Sequence, residues 1–316
     1  MGSEKERHAN GRDASGAHAR DAAKDAAKAA RAGGRLMSES QVEAMISLLT
    51  DSSDKVVDGC RRALRAHAEL SEPLLRERLG QGLPDEESAA VRSALVDVVG
   101  HRLEQPLVDH IVNRPSLEEG SILIGRLIDA SELPGAVTAA LDALADQVGA
   151  ELQRQTEPGR ELAVLTDVLV RQNALTGSDP READPWDAVL HGVTLRQRGL
   201  PLALCMTWIL VARRVGIHLQ GVNMPGHFLV RHESAGRSVV VDPYHRGRPV
   251  REQDCRKMLA NAGYPSMDMG LLDASDRDML LRSLRNLVMI ASRRRERELA
   301  ARCARILNKT SALTGP

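Results

Sequence analysis

The five large rings of the chain, Trp186, Trp208, Phe228, Tyr244 and Tyr264, all fall within one quarter of its 316 residues. Uniform scattering would produce such crowding about one time in a thousand, so this window is a different kind of structure from its flanks. Large rings are common fillers of sheet cores, whereas Ala- and Leu-rich helix stacks need none. The pattern predicts helices on either side of one mixed domain.

The length corresponds to about two domains, enough for a core without staples. Cys60, Cys205, Cys255 and Cys303 form neither a CxxC metal pattern nor a dense disulfide framework, which fits a reduced, cytoplasmic setting. The first 35 residues have no apolar stretch of the secretory type, and no later run approaches the roughly 20 apolar residues of a membrane span, so no membrane partner is expected. Zero net charge hides an uneven distribution: residues 1–38 carry +3, residues 293–316 carry +5, and the body between them is −8. A net-negative body argues against nucleic acid as a partner. Arg293, Arg294, Arg295 and Arg297 read as a solvated helix face.

Residues 1–37 lack hydrophobic periodicity and read as a disordered lead. From Gln41, apolar residues recur at helical spacing, and Asp51-Ser-Ser-Asp54 caps a second helix through Val56, Cys60 and Leu64. A similar phrase returns near Pro84 and leads into Val91, Leu95 and Val98. This rhythm is similar to HEAT-type helical repeats over residues 38–114, and two such units would need to dock on the domain C-terminal to them. Further helices start at Ser116, whose Ser-Leu-Glu-Glu run is a capping-box signature, after Pro134, over about 161–175, and from Asp187 to Gly199. Pro201 to Val215 is strongly apolar, with Pro201 suited to the first helical position and Gly216 as its stop. Three β-like runs come next: His218 to Val222, His227 to Arg231, and Arg237 to Asp242, the last two joined by a turn at Ser234-Ala235-Gly236. The chain then returns to helices from Asp276 to Leu307, in a pattern that suits a hairpin.

Mirroring the last two strands about the Ser234/Ala235 midpoint sets Val230 against Val239 and His227 against Asp242. Opposed residues in an antiparallel ladder lie about 5 Å apart, so Asp242 could orient an imidazole at His227. Ordinary turn chemistry accounts equally well for a His after Pro-Gly and an Asp before Pro243. His218, His227, His232 and His245 crowd together, yet no pair stands at i, i+4 on a helix and no HExxH exists, so no metal site and no cofactor are expected. His232 and His245 read as exposed turn residues.

Arg198-Gly199-Leu200-Pro201, Val211-Ala212-Arg213-Arg214-Val215-Gly216-Ile217, Gly221-Val222-Asn223-Met224-Pro225-Gly226-His227-Phe228-Leu229-Val230-Arg231 and Val241-Asp242-Pro243 occur along the chain in this order. Together they resemble the transglutaminase-like core of the bacterial SirB family, whose longer members carry tetratricopeptide-like repeats behind it. The resemblance implies a papain-like arrangement: a Cys at the start of the central helix, a His base on one strand and an orienting Asp on the next. It assigns His227 and Asp242 to the last two roles and places the nucleophile position on Pro201, which has no nucleophile. Cys205, one helical turn further, is the displaced candidate; its Leu204, Met206 and Trp208 neighbours argue for burial and a raised pKa.

The expected fold is mainly helical α+β: a lead at 1–37, a HEAT-like segment at 38–114, a transglutaminase-like core at 115–265 with a central helix against a small antiparallel sheet, and a helical extension at 266–316. The leading functional expectation is a non-catalytic, degenerate member of that superfamily. It would bind a polypeptide or small molecule in a cleft edged by Pro201, Trp208, Asn223, Phe228, Arg231 and Tyr244, with a protein partner on the helical segment. The alternative is thiol-dependent amide hydrolysis or acyl transfer by Cys205, His227 and Asp242. A third reading is a scaffold in which His227 and Asp242 form a plain sheet-edge hydrogen bond.

Overall fold

A computed structural model describes residues 37–130, 135–155, 159–234, 237–264 and 272–314. Residues 1–36 of the lead expected at 1–37, the helix start at Pro134 and residues 235–236 of the expected turn lie outside them. The chain divides into two compact units, one ending at Leu103 and including Asp129 and Ala130, the other taking Glu104–Ile128 and the remaining residues. Among the described residues, no helix is long and apolar enough to cross a membrane.

The first unit is helical: α1 (Glu39–Ser47), α2 (Asp54–Ala66), α3 (Ala68–Leu79) and the leading part of α4 (Asp85–Asn113). Ser38 and Gln41 close a reciprocal cap on α1, which satisfies two of the backbone N–H groups that a helix start leaves open. Val42, Leu64, Leu75, Val91 and Leu95 are fully buried, as their helical spacing predicts. Glu72, also buried, accepts from Arg76 and pairs with Arg102.

In the second unit, α5 (Leu117–Gly125), α6 (Ala136–Arg154) and α7 (Glu161–Thr166) precede the core, and α7 widens into a π-helical stretch at Asp167–Gln172. The expected helix to 175 therefore ends three residues early, where the Asn173 side chain donates to the Val168 carbonyl and closes the wide turn. The helix expected from Asp187 is also displaced. Asp184 caps a short 3-10 turn at Pro185–Ala188, Val189 is extended, and α8 begins only at Leu190 and ends at Arg196. The structural cause is that Asp184 and Asp187 cap each other reciprocally, which fixes a separate turn.

Short strands β1 (Thr176–Gly177) and β2 (Arg198–Gly199) pair in parallel ahead of the central helix α9 (Pro201–Arg214). Leu202 through Ala212 on α9 are all buried, which explains why this run shows no polar face. The sheet behind it has the order β6-β5-β4-β3-β7, with β3 Leu219–Val222, β4 Leu229–Ser234, β5 Arg237–Asp242, β6 Arg248–Val250 and β7 Asp273–Ala274. All its pairings are antiparallel. Helix α10 (Glu252–Asn261) lies between β6 and β7 in sequence, and α11 (Asp276–Arg293) and α12 (Arg297–Thr314) form the terminal pair. Arg213 bonds Asp276 bidentately, and Arg214 bonds both Glu118 and Asp142, so the C-terminal end of α9 is tied to α5, α6 and α11. Basic groups at that end also complement its helix dipole. The architecture is mainly helical α+β with a small antiparallel sheet.

The strand register differs from the expected one. Val230 faces Val241 and His232 faces Val239, because the pairing runs on to Ser234 opposite Arg237. A shift of two in partner number preserves which side chains share a face. It places Leu229, not His227, beside Asp242 in the ladder. His232 is likewise a buried strand residue, since β4 continues to Ser234, and its ring Nδ1 lies 3.1 Å from the His218 carbonyl.

Candidate functional site

His227 and Asp242 meet although they are not ladder partners. After the Pro225-Gly226 turn, where Gly226 takes φ +70°, His227 lies just ahead of β4 and reaches diagonally to the end of β5. Its Nε2 lies 2.7 Å from Asp242 Oδ2. The same Oδ2 is 2.7 Å from His245 Nδ1, and Oδ1 accepts the His245 backbone N–H at 3.1 Å. Two imidazoles therefore converge on one carboxylate oxygen. Burial alone would raise the Asp242 pKa; the hydrogen bonds from His227 and His245 outweigh it and hold the carboxylate below its ordinary value.

The turn carrying His245 is built on a glycine. Gly247 donates to the Asp242 carbonyl at φ +72°, and a Cβ there would meet Thr166 at 2.8 Å and the Trp208 ring at 2.9 Å. Tyr244 packs edge-on to both imidazoles, with ring centroids 5.8 Å from His227 and 5.0 Å from His245. Its hydroxyl donates to the Ser178 carbonyl, and the Ser178 hydroxyl donates to the buried Asp187, which also pairs with Arg198. A polar chain thus runs from the imidazoles back into the β1–β2 region.

On the other side, Arg282 of α11 clamps the loop ahead of β4. It donates to the Asn223 side chain, to the Met224 carbonyl at 3.1 Å and to the His227 carbonyl at 2.8 Å. Its guanidinium lies 5.3 Å from the Phe228 ring centroid. Burial, with Arg285 nearby, lowers its pKa, against a smaller opposite effect of Cys205. Beside this clamp lies a cleft of about 650 Å³ lined by Asn223, Pro225, Gly226, Tyr264, Arg285 and Asn286, among others. Two acids also line it, but Asp273 is paired with Arg231 and Asp278 is taken up in the cap of α11.

Cys205 is fully buried on α9. Its thiol donates to the Phe228 carbonyl at 3.4 Å. Burial, and secondarily the charge of Asp242, push its pKa well above the ordinary thiol value. Pro201 is half-buried at the first position of α9, with Leu200 as the preceding cap.

The sequence-derived residues are thus only partly assembled. Asn223 lines the cleft, and Arg231 lies against it through Asp273; Tyr244 sits with His227 and Asp242. Trp208 and Phe228 do not reach a surface: both are buried in the core, because every face of α9 is covered and β4 lies directly beneath it. His245, Ser178, Asp187 and Arg282 were missed. His245 stands three residues after Asp242, a spacing that has meaning in a tight turn but none in the helical metal motifs. Arg282 had no local signal, since its partners lie about 55 residues earlier.

Residues 135–285 match the family described as the transglutaminase-like superfamily. Among curated proteins, a UPF0162 protein of Xylella fastidiosa is 34% identical over 150 residues, covering 46% of this chain and 53% of that protein. A UPF0162 protein of Pseudomonas aeruginosa is 31% identical over 181 residues, 56% of this chain and 66% of its own length. Human F-box only protein 21 is 24% identical over 117 residues, 34% of this chain and 18% of that protein. The chain thus spans about half the length of the first of these relatives. No solved structure matches it. The match runs from α6 into α11, so the His227, Asp242 and His245 cluster lies within the segment that is similar to the transglutaminase-like superfamily.

Proposed function

We propose that the chain is a SirB-type, non-catalytic transglutaminase-like protein that binds a polypeptide or small molecule in the cleft beside the 223–226 loop. The observation that carries the reading is the state of Cys205: fully buried, with its thiol donated to the Phe228 carbonyl and its pKa raised by burial. Thiol catalysis needs the opposite, an accessible sulfur held as thiolate. Pro201, at the helix start where free N–H groups would favour a thiolate, supplies neither a nucleophile nor an N–H. Arg282 is committed to the 223–227 loop, but Arg285 and Asn286 also line the cleft as donors, while both of its acids are engaged. That balance suits a ligand with carboxylate or backbone carbonyl groups. HEAT-like helices before the core would supply a second, protein-facing surface in a cytoplasmic setting.

Iodoacetamide labelling at neutral pH, read by peptide mass spectrometry, tests the loss of catalysis. Cys205 should label no faster than the unfolded chain; fast labelling that disappears in His227→Ala would restore the thiol-enzyme reading. A peptide array probed with the intact chain tests the cleft. Binding should weaken about tenfold or more in Arg285→Glu, which reverses a charge at the rim. An unchanged pattern would remove the cleft from the function.

A further inference from the structure

We propose that His227, Asp242 and His245 form a binding site for a divalent transition-metal ion of the zinc type. The three offer one ligand atom each, and these atoms all lie within 4.8 Å of one another. Orienting one histidine requires one carboxylate contact. Here a second imidazole, from a turn, meets the same oxygen at the same 2.7 Å. An ion with bonds of about 2.0–2.1 Å would set its ligands roughly 3.3 Å apart in tetrahedral geometry, so the two N···O contacts must open by about half an ångström while the two ring nitrogens, now within 4.8 Å, draw toward the same spacing. The His245 side chain can supply that movement, being 57% exposed, and the same exposure gives an ion its path from solvent.

The ligands come from two segments, the loop ahead of β4 and the turn that follows β5, and each is separately anchored. His227 is held through its carbonyl by Arg282. Asp242 is buried, and its Oδ1 is occupied by the His245 N–H, which leaves Oδ2 directed at both rings. The His245 turn is fixed by the Gly247 N–H on the Asp242 carbonyl. Such anchoring of ligands from outside the coordination sphere is what metal sites require. Binding asks each imidazole to present a bare nitrogen, so in the neutral rings the proton moves to the other ring nitrogen. Two imidazoles and one carboxylate favour zinc, cobalt or nickel over magnesium or calcium, which prefer all-oxygen shells. Three protein ligands leave a fourth position for water or a ligand group. The proposal does not rest on the peptide-binding reading, since the ion would bind whether or not the neighbouring cleft holds a ligand.

Equilibrium dialysis of the intact chain against zinc, with elemental analysis, should give one tightly held ion per chain. Cobalt(II) should give the intense visible bands of a low-coordinate site, and zinc should displace it. His245→Ala, a change at an exposed turn residue, should weaken zinc binding by more than the roughly 10–100-fold seen when only an outer hydrogen bond to a ligand is lost. His218→Ala, on another exposed histidine, should leave it unchanged. Should His245→Ala fail to fold by circular dichroism, His245→Asn serves the same purpose. The proposal is overturned if the wild type takes up no stoichiometric ion, or if His245→Ala and His245→Asn bind as tightly as the wild type.

Discussion

At the scale of single residues, Cys205 illustrates how one turn of helix separates two chemistries. A sulfur at the first position of α9 would face unpaired N–H groups; four residues later it is enclosed and bonded to a carbonyl. Replacing it by Ala should cost about 1 kcal/mol, the order expected for losing a small buried group and a weak hydrogen bond. The same variant should bind peptides on the array as the wild type does. Urea unfolding and array binding measured together decide the matter, and a stable variant that had lost binding would contradict a packing role. Burial of Cys205 was legible in the sequence, because Leu204, Met206 and Trp208 surround it with apolar neighbours. His245 was not. Its meaning depends on a turn that brings its Nδ1 back to Asp242, and that turn requires Gly247 to sit at positive φ against Trp208 and Thr166. No spacing rule encodes a contact made by three distant segments.

At the scale of elements, α9 and the strands after it could be read from hydrophobic pattern and from Pro and Gly at their ends, whereas the register between β4 and β5 could not. A turn displaced by one residue moves every partner by two, and both registers satisfy the same alternation of buried and exposed side chains. His227 and Asp242 were nevertheless brought together, through a diagonal reach from the loop rather than through the ladder. The split between the 3-10 turn and α8 was likewise hidden, since Asp187 onward carries helical spacing throughout. Its packing leaves a test. A Cβ on Gly192 would stand 1.9 Å from the Trp186 carbonyl oxygen, whereas one on Gly149 of α6 would meet only ordinary contact at 3.8 Å. Gly192→Ala should therefore destabilise by about 3 kcal/mol or more, and Gly149→Ala should stabilise by about 0.5–1 kcal/mol. Thermal unfolding of both variants checks the pair; a harmless Gly192→Ala would show that α8 does not close on that turn.

At the scale of the whole molecule, the charge asymmetry of the sequence turns out to be structural. Arg293 is exposed, as its charged neighbours suggested, yet it also donates to the Pro180 and Ala183 carbonyls and pins the loop ahead of the 3-10 turn. Further along, Arg305 bonds Glu104 on α4, with Lys309 and Arg302 close by. Part of the basic excess of the C-terminal segment is thus neutralised within the second unit, which weakens any case for it as a nucleic-acid surface. Burial alone would raise the Glu104 pKa; the Arg305 hydrogen bond and the charges of Arg305, Lys309 and Arg302 outweigh it and lower the value. A carboxylate whose folded pKa lies below its unfolded value stabilises the fold fully above the unfolded value, about 4.3, and loses that contribution as pH falls through the folded one. Glu104→Gln should therefore cost about 1–2 kcal/mol at pH 7. The cost should shrink as pH falls below about 4, where the wild-type carboxylate takes up its proton and the two proteins come to resemble each other. Urea unfolding of both across this range reads the difference directly. All other carboxylates titrate alike in the two proteins, so a gap that stayed constant down to about pH 3 would mean that Glu104 acts through shape and not through charge.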